Sequence, residues 1–311
     1  MLSPIKEKFS FKSSNGTNTI NGFVIRPQNS PYKAIIQISH GMTEHSGRYE
    51  EYMNFMAQQG FVMVSHDHLG HKASVNDDSE LGFMASKDGY LHVLSDLATT
   101  AGRMKKSFPQ LKLFMLGHSM GSFYARVFAA KYPHLVDGML ISGTGGSNPL
   151  AGAGKVLINT LIKIKGEKAT SKLVAKMVFG KYLDKIENPK TSSDWLTRDE
   201  EVIKKYRSDP YCRFYFKLGG YKDLISILSL ANSRECFANT KKDIPYLIFS
   251  GDMDPVGEWG KGVKEVCTNY KANGVKDVTL KLYKDGRHEM LNELNKDEVY
   301  ADVLNWIESK I

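Results

Sequence analysis

Apolar and polar positions along the first 142 residues alternate between two periods. Residues 6–12 and 19–26 change character at every second position, or are β-branched, and Asn15-Gly16 stands between them. That pattern predicts two antiparallel strands joined as a hairpin. Residues 34–39 (AIIQIS) and 61–65 (FVMVS) are short, unbroken apolar runs of the kind that buried strands show. Between them, 47–59 carries helical spacing. A second helix is expected over 88–106, with Leu91, Leu94, Leu97, Ala98 and Ala101 on one stripe. Then come a strand over 111–116, a helix over 122–131 stopped by Tyr132-Pro133, and a strand over 136–141. The rhythm returns late: strand 244–250, helix 258–270, strand 278–283 and a closing helix over 297–310. Strands alternating with helices imply a mostly parallel, twisted sheet with helices on both faces.

Residues from about 147 to 237 break this rhythm and read as helices and loops with no βαβ unit. Within them, KATSKLVAKMVFGKYLDK is amphipathic. Leu173, Val174, Met177 and Val178 fall on one side, and Lys172, Lys176 and Lys181 lie elsewhere. The expected organisation is a core of 1–146 and 238–311 interrupted by a helical cap, or lid, of 147–237.

Composition narrows the picture without naming an activity. The chain has 311 residues, with 41% hydrophobic and 24% charged, ordinary for a soluble globular protein. Cys212, Cys236 and Cys267 are far apart and have no CxxC spacing, which argues against a disulfide framework or a zinc site and for a reducing, cytoplasmic setting. The first residues lack an apolar core of signal-peptide length, and no run approaches a membrane span. The net charge of +8 is spread over dispersed lysines with no finger, basic-zipper or RNP-like pattern. No nucleic-acid partner is therefore expected, while a basic cap suits peripheral contact with an anionic membrane surface. The sequence does not specify an oligomeric state.

The candidate chemistry centres on Gly117-His118-Ser119-Met120-Gly121, a G-x-S-x-G motif between an expected strand and an expected helix. In that context the serine sits on a tight turn as a nucleophile, with helix N–H groups pointing toward it. A serine hydroxyl needs a base to take its proton, and the base needs a carboxylate to orient it. Working groups of open α/β sheets lie at the carboxyl ends of strands. Strand 244–250 is followed by Asp252 and Asp254, and strand 278–283 by Asp285 and His288. The chain order Ser…Asp…His follows, with Asp254 preferred because it lies far enough past its strand to reach over the sheet edge. Two backbone N–H groups would hold the oxyanion: that of Met120, and that of Met42 in the loop after strand 34–39, where Gly41 lets the backbone turn inward. His66, His68 and His71 with Asp67 fall at i, i+2 and i+5 on a loop, but no further ligand is evident, so they read as braces for that loop rather than a metal site.

The segments HGMTEHSGRY (40–49), DHLGHKAS (67–74), GHSMGS (117–122), GDMDPV (251–256) and GRHEMLNE (286–293) together resemble the α/β-hydrolase superfamily. Within it they are similar to the monoacylglycerol lipase and lysophospholipase branch, also labelled serine aminopeptidase S33-like. The resemblance implies Ser119 as nucleophile, Asp254 as acid and His288 as base. It implies oxyanion contacts at Met42 and Met120, and a lid over an acyl pocket. His40, Gly41, Glu44, His45, Arg48 and His118 would bind substrate or support the site. No cofactor or metal is implied. The substrate would be a small acyl ester or lipid. A proline iminopeptidase-like activity, using lid carboxylates such as Glu167, Asp184, Glu187, Asp194, Asp199, Glu200 or Glu201 to hold an amine, is the alternative, as is a general short-chain carboxylesterase. One position departs from the family pattern D-H-x-G-H-G-x-S: Lys72 stands where glycine is usual.

Overall fold

A computed structural model describes residues 3–311. Eight strands form one sheet: β1 (Ile5–Lys12), β2 (Thr19–Arg26), β3 (Ile35–Ser39), β4 (Val62–His66), β5 (Leu113–His118), β6 (Gly138–Ser142), β7 (Pro245–Gly251) and β8 (Asp277–Tyr283). Among the described residues, ten α-helices accompany them: α1 (Glu50–Gln58), α2 (Gly89–Ser107), α3 (Met120–Lys131), α4 (Ala151–Lys165), α5 (Lys172–Phe179), α6 (Glu200–Ser208), α7 (Leu218–Ala231), α8 (Arg234–Asn239), α9 (Lys261–Ala272) and α10 (Lys296–Glu308). The strand order is β1-β2-β4-β3-β5-β6-β7-β8, antiparallel at β1–β2 and β2–β4 and parallel from β4 to β8. This is the α/β-hydrolase arrangement that the sequence leads one to expect.

The unbroken apolar runs have a direct physical reason. Successive side chains of a strand point to opposite faces, and here both faces are covered. Ile35, Val62, Val64, Leu113, Met115 and Ile248 pack into the core shared with α2, α3, α7 and α9. Their neighbours Ile36, Met63, Phe114, Leu116 and Phe249 pack under α1 and α10. A polar residue at any of these positions would lie buried.

Three boundaries differ from the sequence reading in informative ways. The β1–β2 connection spans residues 13–18 instead of closing directly on Asn15-Gly16. Asn15 Oδ1 accepts the N–H groups of Thr17 and Asn18 across it. Strand β5 runs to His118 and α3 starts at Met120, so Ser119 is the whole junction. Helix α9 starts later than its pattern, because Glu258, Trp259 and Gly260 all take left-handed backbone.

The helices of the segment between β6 and β7 differ in what they pack against. Helices α7 and α8 lie against α3, and α7 also against α2, with Leu218, Tyr221, Ile227 and Phe237 buried. Helix α4 rests on α7. In α5, Val174 is buried and Val178 half-buried, but Leu173 and Met177 are exposed, so the expected single apolar face divides. Among the described residues, no helix is long and apolar enough to cross a membrane.

Candidate active site

Ser119 has φ 55° and ψ −122°, a strained conformation for a residue with a Cβ, with a cost of about 1–3 kcal/mol. The strain is held by its neighbours. A Cβ on Gly117 would lie 2.4 Å from the Gly121 carbonyl oxygen, and one on Gly121 would lie 2.0 Å from the Ser39 carbonyl oxygen. Both glycines are therefore needed for α3 to start directly against the sheet. The result lifts the half-buried Ser119 side chain to a cavity wall, above the carboxyl ends of β3 and β5.

Asp254 and His288 meet as the sequence order suggested. His288 Nδ1–H donates to Asp254 Oδ1 at 2.9 Å, with both side chains buried. Asp254 also accepts the Ser250 hydroxyl at 2.7 Å and the Val256 N–H at 2.9 Å. Burial opposes ionisation of Asp254, but the adjacent imidazole and these donors outweigh it and hold the carboxyl below its usual range. Burial likewise opposes charge on His288, and the Asp254 carboxylate outweighs it, raising the imidazole's basicity. Asp252 is engaged elsewhere: its Oδ1 accepts the Asp285 N–H at 2.8 Å, closing the turn after β8. Ser119 and His288 line the same cavity without a hydrogen bond between them in this arrangement.

Met42 and Met120 line that cavity beside Ser119. Met120 is the first residue of α3, so its N–H has no partner within the helix. The Met42 loop is shaped by buried polar groups. Glu44 accepts the Gly41 N–H, the Tyr49 hydroxyl at 2.8 Å and Arg48 Nη1 at 2.9 Å. Arg48 then reaches Glu289, next to His288, through two bonds of 2.7 and 2.6 Å. Burial would raise the Glu44 carboxyl, but Arg48 overcomes it and keeps the group ionised. Tyr206 of α6 completes this end. Its hydroxyl lies 3.1 Å from Thr43 Oγ1, and Arg48 sits over its ring. Glu289 and Tyr206 carried no assigned role in the sequence reading. Glu289 lies inside a recognisable motif, but Tyr206 comes from the insertion with no local signal.

The other proposed supporting residues lie around or beneath the cavity. His40 is buried, accepts the His68 N–H on Nε2 and donates from Nδ1 to the Gly41 carbonyl, both at 2.8 Å, so its tautomer is determined. His118 lines the cavity, with Nδ1 3.2 Å from Ser142 Oγ and its ring 4.6 Å from that of His288. His45 turns away from Ser119, toward Asp209 of the insertion at 2.9 Å.

His45, Asp209 and Cys212 bring their potential ligand atoms within 4.8 Å of one another. The bonding around His45 opposes a cation there. Its Nδ1 accepts the Gly47 N–H and faces Lys72 Nζ at 3.2 Å, so Nε2 carries the proton and donates to Asp209. Lys72 has φ 36°, the left-handed backbone that explains why glycine is usual at this position. His66, His68 and His71 use protein partners: Thr100 Oγ1, Ser39 Oγ and the Leu69 carbonyl. Asp67 braces the same loop by accepting from Ser46 and the Ala73 N–H.

The cavity itself is about 900 Å³. Away from the Glu44 end it is walled mostly by apolar residues of the insertion, among them Leu157, Ile158, Leu173, Val174 and Met177, with Leu224, Ile225 and Leu228 of α7 behind and Lys176 and Lys181 also on the wall. Trp195 closes over His288. The Ser119 hydroxyl and the His288 imidazole, the latter backed by the buried Asp254 carboxylate, thus face one largely apolar chamber.

Residues 30–295 match the family described as serine aminopeptidase, S33. The human monoglyceride lipase is 31% identical over 92% of this chain and 85% of its own length. A monoacylglycerol lipase of Mycolicibacterium smegmatis is 26% identical over the whole of both chains. A thermostable carboxyl esterase from Bacillus coagulans, solved with glycerol, superposes with a TM-score of 0.92 at 28% identity, covering 100% of this chain and 99% of that one.

Proposed function

The chain belongs to the serine aminopeptidase S33 family of α/β hydrolases and is a serine carboxylic-ester hydrolase, and on that footing we propose that it acts on monoacylglycerols through Ser119, Asp254 and His288. His288 takes the proton of Ser119 Oγ as the oxygen attacks the ester carbonyl. Asp254 keeps Nδ1 protonated and stabilises the imidazolium that forms. The N–H groups of Met42 and Met120 receive the oxyanion, each worth about 3 kcal/mol of barrier. Collapse of the tetrahedral intermediate breaks the bond to the alcohol, which leaves with the proton from His288. Water, deprotonated by His288, then attacks the acyl-enzyme and frees the acid and Ser119.

The observation that carries the substrate class is the polarity of the cavity. Its long wall is apolar and suits an acyl chain, and its volume is near the upper end for ligand pockets. Its other end holds Glu44 and Glu289 around one Arg48, with Tyr206 beside them. Two carboxylates against one guanidinium favour the hydroxyls of a glycerol head group over a phosphate. A peptidase would need a carboxylate of the cap facing the site. Among the described residues lining the cavity, none of Glu167, Asp184, Glu187, Asp194, Asp199, Glu200 and Glu201 appears, and four of them line a separate polar groove.

Helices α4 to α6 and their loops are the lid of this reading, while α7 and α8 belong with the core. Leu150, Val156, Ile164, Leu173 and Met177 are exposed there among Lys155, Lys163, Lys172 and Lys176. That surface fits peripheral contact with an anionic bilayer, from which the substrate would enter. The three buried, unpaired cysteines suit a reducing, cytoplasmic setting.

The test is an initial-rate series of glycerol monoesters from acetyl to palmitoyl, with Ser119→Ala as the blank. Rates that peak at medium or long chains and vanish in the variant are expected, a loss of about 10⁴-fold or more. Activity limited to acetyl esters would leave only a short-chain esterase, and activity that survives Ser119→Ala would remove the nucleophile.

A further inference from the structure

His288 is held on one side by Asp254, and a residue of the insertion occupies the other. The Trp195 ring lies 5.0 Å, centroid to centroid, from the imidazole, at 40° to its plane. This contact belongs to a longer seam. Residues 194–198 run along 287–293: His288 N–H donates to the Trp195 carbonyl at 3.3 Å and Glu289 N–H to that of Leu196 at 2.7 Å. Arg287 Nη1 donates to the carbonyls of Asp194 and Thr197, and the Arg198 N–H donates to Glu293 at 2.9 Å. Trp195 is packed in turn by Tyr182 at 4.7 Å and Phe179 at 6.2 Å, both lining the cavity from the end of α5 and just beyond it. A run of ring contacts, edge-on at Tyr182–Trp195 and tilted at Trp195–His288, therefore leads from the acyl chamber to the imidazole.

We propose that Trp195 is a positioning residue for His288, setting the plane of the imidazole and stabilising the imidazolium that forms when Ser119 loses its proton. The proposal rests on the reading of His288 as the base. An aromatic face within about 6 Å of a cation shifts such an equilibrium by about two- to thirtyfold toward the charged form. The other charged or titratable groups facing His288 are Asp254 after β7, Glu289 beside it, Glu44 after β3 and His118 at the end of β5. All four remain when Trp195 is changed. Because Trp195 belongs to the insertion, the base is fully prepared only while that segment lies on the core, and lid position and proton transfer become linked.

The test combines emission with kinetics in the wild type, Trp195→Leu, Trp195→Phe and His288→Gln. An imidazolium against an indole quenches its emission. The wild type should show a fluorescence step as His288 titrates, lost in both His288→Gln and Trp195→Phe. In Trp195→Leu the acid limb of the kcat/KM profile should move to lower pH by about half a unit to one unit, since the imidazolium loses a partner. Its kcat should fall about three- to tenfold with KM changed less than about twofold, and Trp195→Phe should restore most of the rate. A wild-type emission profile with no step dependent on His288 would overturn the proposal, even if Trp195→Leu failed to fold. So would an unmoved acid limb in Trp195→Leu. Activity retained in His288→Gln would instead remove His288 as base, which no Trp195 result can imitate.

Discussion

Glu44 and Leu173 line the same cavity, yet Glu44 is 3% exposed and tied by three donors, while Leu173 is 56% exposed on a helix of eight residues. The charged groups of the polar end come from segments that follow β3 and β8, where the sheet sets their positions, and they are cross-linked by Arg48, with Tyr206 of α6 packed against it. The apolar end is made by α4, α5 and α7, and on α5 Leu173 and Met177 meet the cavity on one side and solvent on the other. The first can hold a reacting group to within tenths of an ångström. The second can change shape for acyl chains of different length at little cost. A lipid hydrolase needs both, because the ester is one fixed geometry and the chain is not.

The sharpest way to break this contrast is Arg48→Met. It removes the cation between two buried carboxylates and should destabilise the fold by about 3–5 kcal/mol, read from the urea midpoint. Arg48→Lys should recover only part of this, because an ammonium cannot span Glu289 with two parallel bonds. A loss below about 1 kcal/mol would mean the polar end is no more firmly tied than an exposed surface pair.

Acid should act next, and on the same side of the molecule. His40, His66 and His71 are pushed down to about 3 and His118 to about 4 by burial, with neighbouring histidines adding to it, and His68 falls well below its ordinary value for the same reasons. Unfolded, these rings bind protons near pH 6.5; folded, they stay neutral. The unfolded chain therefore holds more protons below about pH 6.5, and stability falls as pH drops. His288 works in the opposite sense, since its raised value adds stability at low pH that is lost as pH rises through it, but it is one group against five. The Tm at about pH 5 should lie several degrees below that at about pH 7.5. An equal or higher Tm in acid would contradict this.

The smallest effect on stability should come from the other end. Serine at both Leu173 and Met177 should change stability by less than about 0.5 kcal/mol per site, because both side chains are more than half exposed. The ratio of palmitoyl to acetyl turnover should nevertheless fall several-fold. An unchanged ratio would take these two residues out of the acyl path.

The strands, and the positions of Ser119, Asp254 and His288 just past strand ends, were legible because each depends on the local pattern around it. Alternation exposes a strand covered on both faces, and a tight turn exposes its glycines. Trp195, Tyr206 and the Arg48–Glu289 bond were not. Their partners lie far away in the chain, and nothing near them in sequence records the meeting. The same limit hid which helices of the segment between β6 and β7 pack on α2 and α3. Helices α5 and α7 are both amphipathic and both reach the cavity, and periodicity does not say that α7 also packs on α2 and α3 while α5 leaves Leu173 and Met177 exposed. Lys72 is an intermediate case: its unusual identity was visible, and the left-handed backbone that explains it required coordinates.

The most direct measurement compares kcat/KM for two substrates with the same acyl chain, a 1-monoacylglycerol and the corresponding lysophosphatidic acid, on the wild-type protein. With Glu44 and Glu289 around a single Arg48, the neutral glycerol ester should be preferred by at least about tenfold. Equal or faster hydrolysis of the phosphate-bearing ester would show that the polar end does not select a glycerol head group.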